Sequence, residues 1–348
     1  KNYCPAFGSR YIKNVKNCES PQWLKDKLNS IGLKPISALV DITNYILFDY
    51  NRPLHVYDAD KVSGNIIIRS AKKYEKFFGL DDKEYSLDEG MCVIADEKKS
   101  LGLGGILGGS SSACDIATTN ILLESALFIP SNIANTGRKL FIDSDARYRF
   151  ERGVDPNSLN IGLDRAALLI QEICGGEISD TQICGTIPKS EHDISFNLIN
   201  NTNRLGVEID QSEIEQMLKK LGIKTVSKKD HLICTIPSWR QDIHGEADLS
   251  EEVIRLKGFD SIPVLSIRPE KKINEKILSE SYKNSLRSKR FLAQRGSNEL
   301  ITWSFASSKD SKFYIDNQNL MIQNPISEEL DILRPSLIPN LLSAVKKN

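Results

Sequence analysis

The 348-residue chain balances 46 Lys and Arg against 46 Asp and Glu, a formal net charge of zero. The length predicts two or three domains, and no apolar run reaches membrane-spanning length, so a soluble globular protein without a membrane role is expected. A neutral chain must use a local patch, or parts outside it, for any nucleic-acid contact. Its 7 Cys include no CxxC pair. That argues against zinc and a disulfide framework and predicts buried apolar thiols in a reducing, cytoplasmic setting. The start, Lys1-Asn2-Tyr3-Cys4, has neither Met nor a signal-peptide pattern, which suggests part of something longer.

In chain order, Ser20-Pro21 predicts a helix start, with Leu24, Leu28 and Ile31 as its apolar stripe and Gly32 as its end. The stretch from Ile36 to about Ile46 reads as a strand and its end, followed by a turn at Asn51-Arg52-Pro53. Ile66-Ile67-Ile68 and Ile121-Leu122-Leu123 read as short buried strands. Met91 to Ala95 and Leu101 to Leu107 read as two strands around a polar turn. A long amphipathic helix is expected over Leu159 to Ile173, closed by Gly175-Gly176. Beyond a polar break at Pro188 to Asp193, Asp210 and Glu213 predict a capping box for a helix carrying Ile214, Leu218 and Leu221. A strand over Leu232 to Ile236 and a helix over Ala247 to Lys257 follow; the polar stretch Arg268 to Asn274 opens a third region. Strands then helices, without strict alternation, predict an α+β fold.

Five clusters carry chemical potential. His55 follows Asn51-Arg52-Pro53-Leu54; a lone His there is more often structural than catalytic. The run Gly102 to Gly109 packs five glycines, which permits close backbone approach or merely a tight turn, and lacks a phosphate-loop pattern. Glu124 abuts a predicted strand, so it is either an exposed carboxylate or one drawn into an apolar wall that needs a donor or a shifted pKa. Asp143 to Pro156 is dense in Arg and Asp, as in a salt-bridged turn or a rim for an RNA end. Asp242, Asp248, Glu251 and Glu252 are either charges at a helix start or oxygens converging on a hard cation such as Mg²⁺.

The runs PISALVDITNYILFDYNRPLHVYDADKV, GLGGILGG, LLESALFIPSNIANTGRK, SDARYRFERGVDP, PSWRQDI with DLSEEVIRLKGFDSIP, and NPISEELDILRPSLIPNLL resemble bacterial phenylalanyl-tRNA synthetase β subunits, in order and spacing. The resemblance implies a mixed or antiparallel-sheet editing module over residues 1–189, then a small winged-helix-like module over 193–265. The incomplete start of a class II synthetase-like antiparallel domain would occupy 268–348. It implies hydrolysis of mischarged tyrosyl-tRNA(Phe), with His55 and Glu124 as catalytic-site residues and Thr43, Gly104, Gly105, Gly108, Ser144 and Ala146 as pocket positions. Gly104 and Ser144 stand where relatives carry Ala and Thr. It also implies Mg²⁺ on Asp242, Asp248, Glu251 and Glu252. The implied partners are tRNA(Phe) and an α subunit that binds ATP and phenylalanine in an (αβ)₂ assembly. A non-catalytic structural or tRNA-docking piece of the same subunit is the alternative.

Overall fold

The computed structural model describes residues 3–229, 231–266, 278–314 and 320–348. The chain divides into two units, Lys1–Val264 and Leu265–Asn348. The first begins with β1 (Ala6–Lys13), α1 (Gln22–Ser30), α2 (Ala38–Asp49), β2 (His55–Asp58), β3 (Ile67–Ser70), β4 (Glu75–Phe78), β5 (Glu84–Leu87), β6 (Cys92–Ala95), β7 (Ser100–Leu103) and β8 (Leu107–Gly108). It continues with β9 (Ile121–Leu127), α3 (Pro130–Leu140), α4 (Asp145–Phe150), α5 (Ser158–Cys174), β10 (Glu177–Ile178) and β11 (Gln182–Gly185). Strands β10, β1, β9 and β2 lie side by side with β11 also on β1, while β3, β6, β7 and β8 form a second sheet. Every strand pair among the described residues is antiparallel. The α+β expectation is met.

Period-2 alternation on β9 divides the core. Ile121, Leu123 and Leu127 join Leu39, Ile42, Ile46, Leu159 and Leu163 of α2 and α5 in one apolar cluster. Leu122 and Ala126 face the opposite cluster, with Val93, Ile94, Leu101 and Leu103 of the second sheet. Glu124 falls on this second face, and so do His55 and Tyr57, two apart on β2. The register pairs His55 directly with Glu124. A carboxylate and an imidazole are thereby placed between two sheets by strand alternation alone.

The stretch from Ile36 to Ile46 is not a strand: from Ala38 onward it is helix α2. Leu39, Ile42, Ile46 and Leu47 are all buried, and 39, 42 and 46 follow the i, i+3, i+7 spacing of a helix face. Asp41 fastens the chain entering the helix, accepting the Ile36 N–H at 2.9 Å and the Ser20 hydroxyl at 2.6 Å, while the Ala38 N–H is taken by the Cys18 carbonyl at 2.8 Å. Ser20 is thus spent on Asp41 and does not cap α1, whose Ile31 is half exposed. Ile67 is also half exposed because β3 is an edge strand. The Arg- and Asp-rich stretch after Asp143 is the short helix α4, capped by Ser144, whose Oγ accepts the Arg147 N–H at 3.1 Å.

The same unit continues with β12 (His192–Asn197), α6 (Leu198–Leu205), α7 (Gln211–Lys220), β13 (Lys224–Ser227), β14 (His231–Ile236) and α8 (Glu246–Lys257). The sheet order β12-β14-β13 supports its own core of Phe196, Leu218, Leu232, Cys234, Leu249 and Val253. The predicted capping box at α7 is not made: Asp210 offers no side-chain bond, and Glu213 instead takes Lys257 at 2.7 Å. The second unit contains α9 (Glu280–Gln294), β15 (Phe305–Ala306), α10 (Ser308–Ser311), β16 (Ile332–Leu333) and α11 (Ile338–Lys347), with β15 paired to β16. The polar stretch Arg268 to Asn274 lies outside the described residues. Among the described residues no helix is long and apolar enough to cross a membrane.

Candidate functional site

A cavity of about 80 Å³ opens between the two sheets and α4. Its wall brings together His55 and Tyr57 of β2, Glu124 of β9, Gly105 and Gly108 of the glycine run, and Ala146 and Phe150 of α4. Apolar neighbours such as Ile94, Leu103 and Phe128 complete the lining. Glu124 is 5% exposed, and burial in this apolar wall pushes its carboxyl up to about 7, against the pull of a hydrogen bond from Tyr57. The fully buried Tyr57 hydroxyl donates to Glu124 Oε2, and Oε1 accepts no hydrogen bond among the described residues.

His55 stands edge-on to the Tyr57 ring, with ring centres 4.5 Å apart. Its Nε2 is sealed from solvent and has no hydrogen-bond partner among the described residues. Burial pulls the imidazole down to about 4, so it is neutral near pH 7, able to accept or donate one proton but not to act as a cation. The ring fits because Gly108 has no side chain: a Cβ there would meet His55 Cε1, and Leu80 Cδ1 at 2.8 Å. Gly105 sits at φ +69 with Phe128 only 2.7 Å from where its Cβ would be. Both glycines are therefore required by the wall, which separates close approach from the ordinary-turn alternative.

Three pocket expectations fall elsewhere. Thr43 is buried on α2, its hydroxyl spent on the Val40 carbonyl at 2.7 Å, and it does not line the cavity. Gly104 lies behind the wall, where a Cβ would press on Phe128 at 2.8 Å and Cys92 at 3.0 Å. Ser144 acts one step removed: its Oγ donates to the Ile106 carbonyl at 2.7 Å and so anchors a lining residue. The sequence reading missed Tyr57. Once β2 is recognised as a strand, residues 55 and 57 share a face, but the sequence reading predicted no strand there. It also missed the role of Arg52, fully buried in the turn before β2. The Arg52 guanidinium donates to Ser158 Oγ at 2.9 Å, the Ala126 carbonyl at 2.9 Å and the Asp155 carbonyl at 2.5 Å.

The acidic residues near α8 do not form a cation cradle. Arg240 takes both oxygens of Asp242, at 2.8 and 2.6 Å, and one oxygen of Glu252 at 2.8 Å; Arg255 takes the other at 2.5 Å. Asp248 turns back to accept the His244 and Gly245 N–H groups at 2.8 and 2.9 Å, capping the helix. Glu251 points to solvent. A guanidinium already stands between Asp242 and Glu252, where a dication would need their free oxygens, so this donor set does not fit Mg²⁺. Among the described residues no group of three or more His, Cys, Asp or Glu is placed to hold a metal.

Three family models match in succession: the B3/4 domain over residues 3–175, the tRNA synthetase B5 domain over 192–259, and the phenylalanyl tRNA synthetase beta chain CLM domain over 265–348. This domain series is that of an aminoacyl-tRNA synthetase subunit. The chain is 44% identical over 346 residues to the phenylalanine–tRNA ligase beta subunit of Rhodopseudomonas palustris, covering 99% of this chain and 43% of that protein. To the same subunit of Paramagnetospirillum magneticum it is 46% identical over 352 residues, covering 100% of this chain and 44% of the relative. The chain belongs to the phenylalanine–tRNA ligase beta-subunit family and spans less than half the length of these relatives. A solved N-terminal fragment of the phenylalanyl-tRNA synthetase beta subunit from Pyrococcus horikoshii covers 73% of this chain and 71% of its own, at 15% identity and TM-score 0.35. That likeness is too distant to bear on the site.

Proposed function

We propose that the cavity around Glu124 hydrolyses tyrosine mischarged onto tRNA(Phe), within a synthetase whose α subunit carries the ATP and phenylalanine site. The observation that carries this reading is a buried carboxylate with one unpartnered oxygen in an otherwise apolar wall, beside a neutral imidazole. Tyrosine and phenylalanine differ by one hydroxyl, and apolar pockets reject an added hydroxyl poorly, so errors of this kind call for a second site that selects for it. In its ionised form, which grows as pH rises through about 7, Glu124 Oε1 accepts the phenolic hydrogen bond in a charge-assisted contact that phenylalanine cannot make. Because Tyr57 already holds Oε2, the penalty a phenylalanyl group meets is one unpaired oxygen, not a wholly unpaired carboxylate.

The aminoacyl ester is already activated, so hydrolysis needs a positioned water and donors for the oxyanion. His55 Nε2 is unpartnered and sealed in this state, and it holds the water with the terminal ribose hydroxyl once the lining opens on binding. The Gly104 and Ile106 N–H groups are spent on the Cys92 and Leu103 carbonyls at 2.9 Å each, so the proposed oxyanion donors are the Gly105 and Gly108 N–H groups, whose residues line the cavity. No step passes through Mg²⁺. The module around β12 to β14 and α8 acts as a small winged-helix-like support, and the second unit as the start of a catalytic-like domain.

One observation favours the runner-up, a structural or tRNA-docking role. A cavity of about 80 Å³ is about half the volume of an engineered apolar cavity of roughly 150 Å³ that holds benzene. Editing therefore requires the lining to open on binding. Deacylation of tyrosyl-tRNA and phenylalanyl-tRNA side by side, in protein supplying full tRNA binding, separates the two. Faster loss of tyrosine supports editing, and equal background rates leave only the docking role.

A further inference from the structure

We propose that Tyr57 is a specificity-determining positioning residue: its hydroxyl pins Glu124 Oε2 and opposes protonation of the carboxyl, so that Oε1 alone is presented to an incoming phenol. This rests on the editing reading above and adds to it the residue that arms the reader. The geometry is direct. Tyr57 and Glu124 are both sealed from solvent, face the same inter-sheet space from neighbouring strands, and are joined hydroxyl to carboxylate. Tyr57 also presents the same functional group as the ligand, a phenol, so the site contains a permanent copy of the contact it offers.

A carboxylate in such a place is pressed toward its neutral form by burial, and the only opposing influence is the Tyr57 hydrogen bond. The other titratable groups around Glu124 give no help. His55 is neutral, and the thiols of Cys4 and Cys92 are themselves raised by burial and by the nearby carboxylate. No cation faces Glu124 from β1, β2, β6 or α4 among these partners. With the Tyr57 hydroxyl in place the carboxyl titrates at about 7; without it the midpoint moves above neutrality, and Glu124 stands protonated at pH 7 as a mixed donor and acceptor, which discriminates poorly between a phenol and a bare ring.

The test reads the carboxyl directly. Infrared difference spectra of the whole chain across pH are recorded for wild type and Tyr57→Phe, with Glu124→Gln identifying the band. The Glu124 midpoint is expected to rise in Tyr57→Phe by roughly one to two pH units, the equivalent of a hydrogen bond to a charged group. Replacing Tyr57 by 3-fluorotyrosine, a stronger donor of nearly the same shape, should move the midpoint down. This second variant keeps the test open if Tyr57→Phe folds poorly. An unmoved midpoint in either variant overturns the proposal. In the full synthetase, the pH at which tyrosyl preference develops should track the infrared midpoint. If the midpoint moves while no preference exists at any pH, the tuning stands and the editing reading fails.

Discussion

Replacing Arg52 by Met should loosen the frame that holds His55. The fully buried guanidinium sits just before β2 and bonds the Ala126 carbonyl of β9, at a point where β2, paired with β9 only as far as Glu124, no longer reaches. It acts as a side-chain continuation of the sheet and fills the space against Gly162, where a Cβ would approach its Cγ at 2.6 Å. In the variant the Ala126 carbonyl loses this donor, at a cost of about 1–3 kcal/mol. The Asp155 carbonyl keeps the Ser158 hydroxyl at 2.8 Å. Met retains much of the volume, and all three hydrogen-bond acceptors are neutral groups, so the one charge that loses a partner is the nearby Asp155 carboxylate, which is not hydrogen-bonded to Arg52. With imperfect packing added, the loss should be about 2–4 kcal/mol. At roughly 2–4 °C per kcal/mol for a unit of this size, Tm should fall by about 4–16 °C in a calorimetric scan. Tyrosyl-ester hydrolysis should fall with it as the β2 entry shifts. A variant within about 0.5 kcal/mol of wild type would refute the view that Arg52 completes the sheet edge.

Glu124 should also leave a mark on stability. Its folded pKa, about 7, lies above the ordinary 4.5, so the folded state binds more protons between those values. Its contribution is complete below about pH 4.5 and is lost as pH rises through about 7. Urea unfolding of Glu124→Gln should therefore gain on wild type by on the order of 1–3 kcal/mol between about pH 5 and 8, and parallel curves would contradict the assignment. Gly108→Ala should push His55 aside, costing on the order of 100-fold in tyrosyl-ester hydrolysis and moving the His55 ring resonances; a fully active variant would free His55 of any role. Arg240→Ala should release Asp242 and Glu252, so that millimolar Mg²⁺ raises Tm in the variant and not in wild type. An Mg²⁺ shift in wild type would show that the arginine does not exclude the ion.

Much of the frame was legible in the sequence because it rests on local periodicity. The continuous apolar run Ile121-Leu122-Leu123 located β9, and the Leu159 to Ile173 stripe located α5. The failure at α2 has a physical cause. Its apolar positions crowd into so short a run that a strand reading competes, and the bonds that fix the helix entry, Asp41 to Ser20 and the Ala38 N–H to the Cys18 carbonyl, are non-local. His55, Glu124, Gly105, Gly108 and Ala146 were found through family motifs, and the structure places all five on one cavity. Thr43 and the acidic residues near α8 show the limit of that route. Motif position does not reveal that a hydroxyl is spent on its own helix or that a guanidinium occupies the space between two carboxylates. The Tyr57–Glu124 contact joins residues 67 apart in sequence and depends on register, which composition does not encode.

The central claim is that Glu124 reads the phenolic hydroxyl, and discrimination between the two esters measures it most directly. Deacylation of tyrosyl-tRNA and phenylalanyl-tRNA is compared for wild type, Glu124→Gln and Glu124→Ala in protein that supplies full tRNA binding. Gln keeps an acceptor without charge, whereas Ala removes it. Tyrosyl preference should fall in that order, by roughly 10- to 150-fold for Ala, the range corresponding to a hydrogen bond worth about 1.5–3 kcal/mol. Phenylalanyl-tRNA hydrolysis should stay level or rise, since no unpaired oxygen then penalises it. An equal loss on both esters would contradict the account and make Glu124 a structural or catalytic residue instead of the reader.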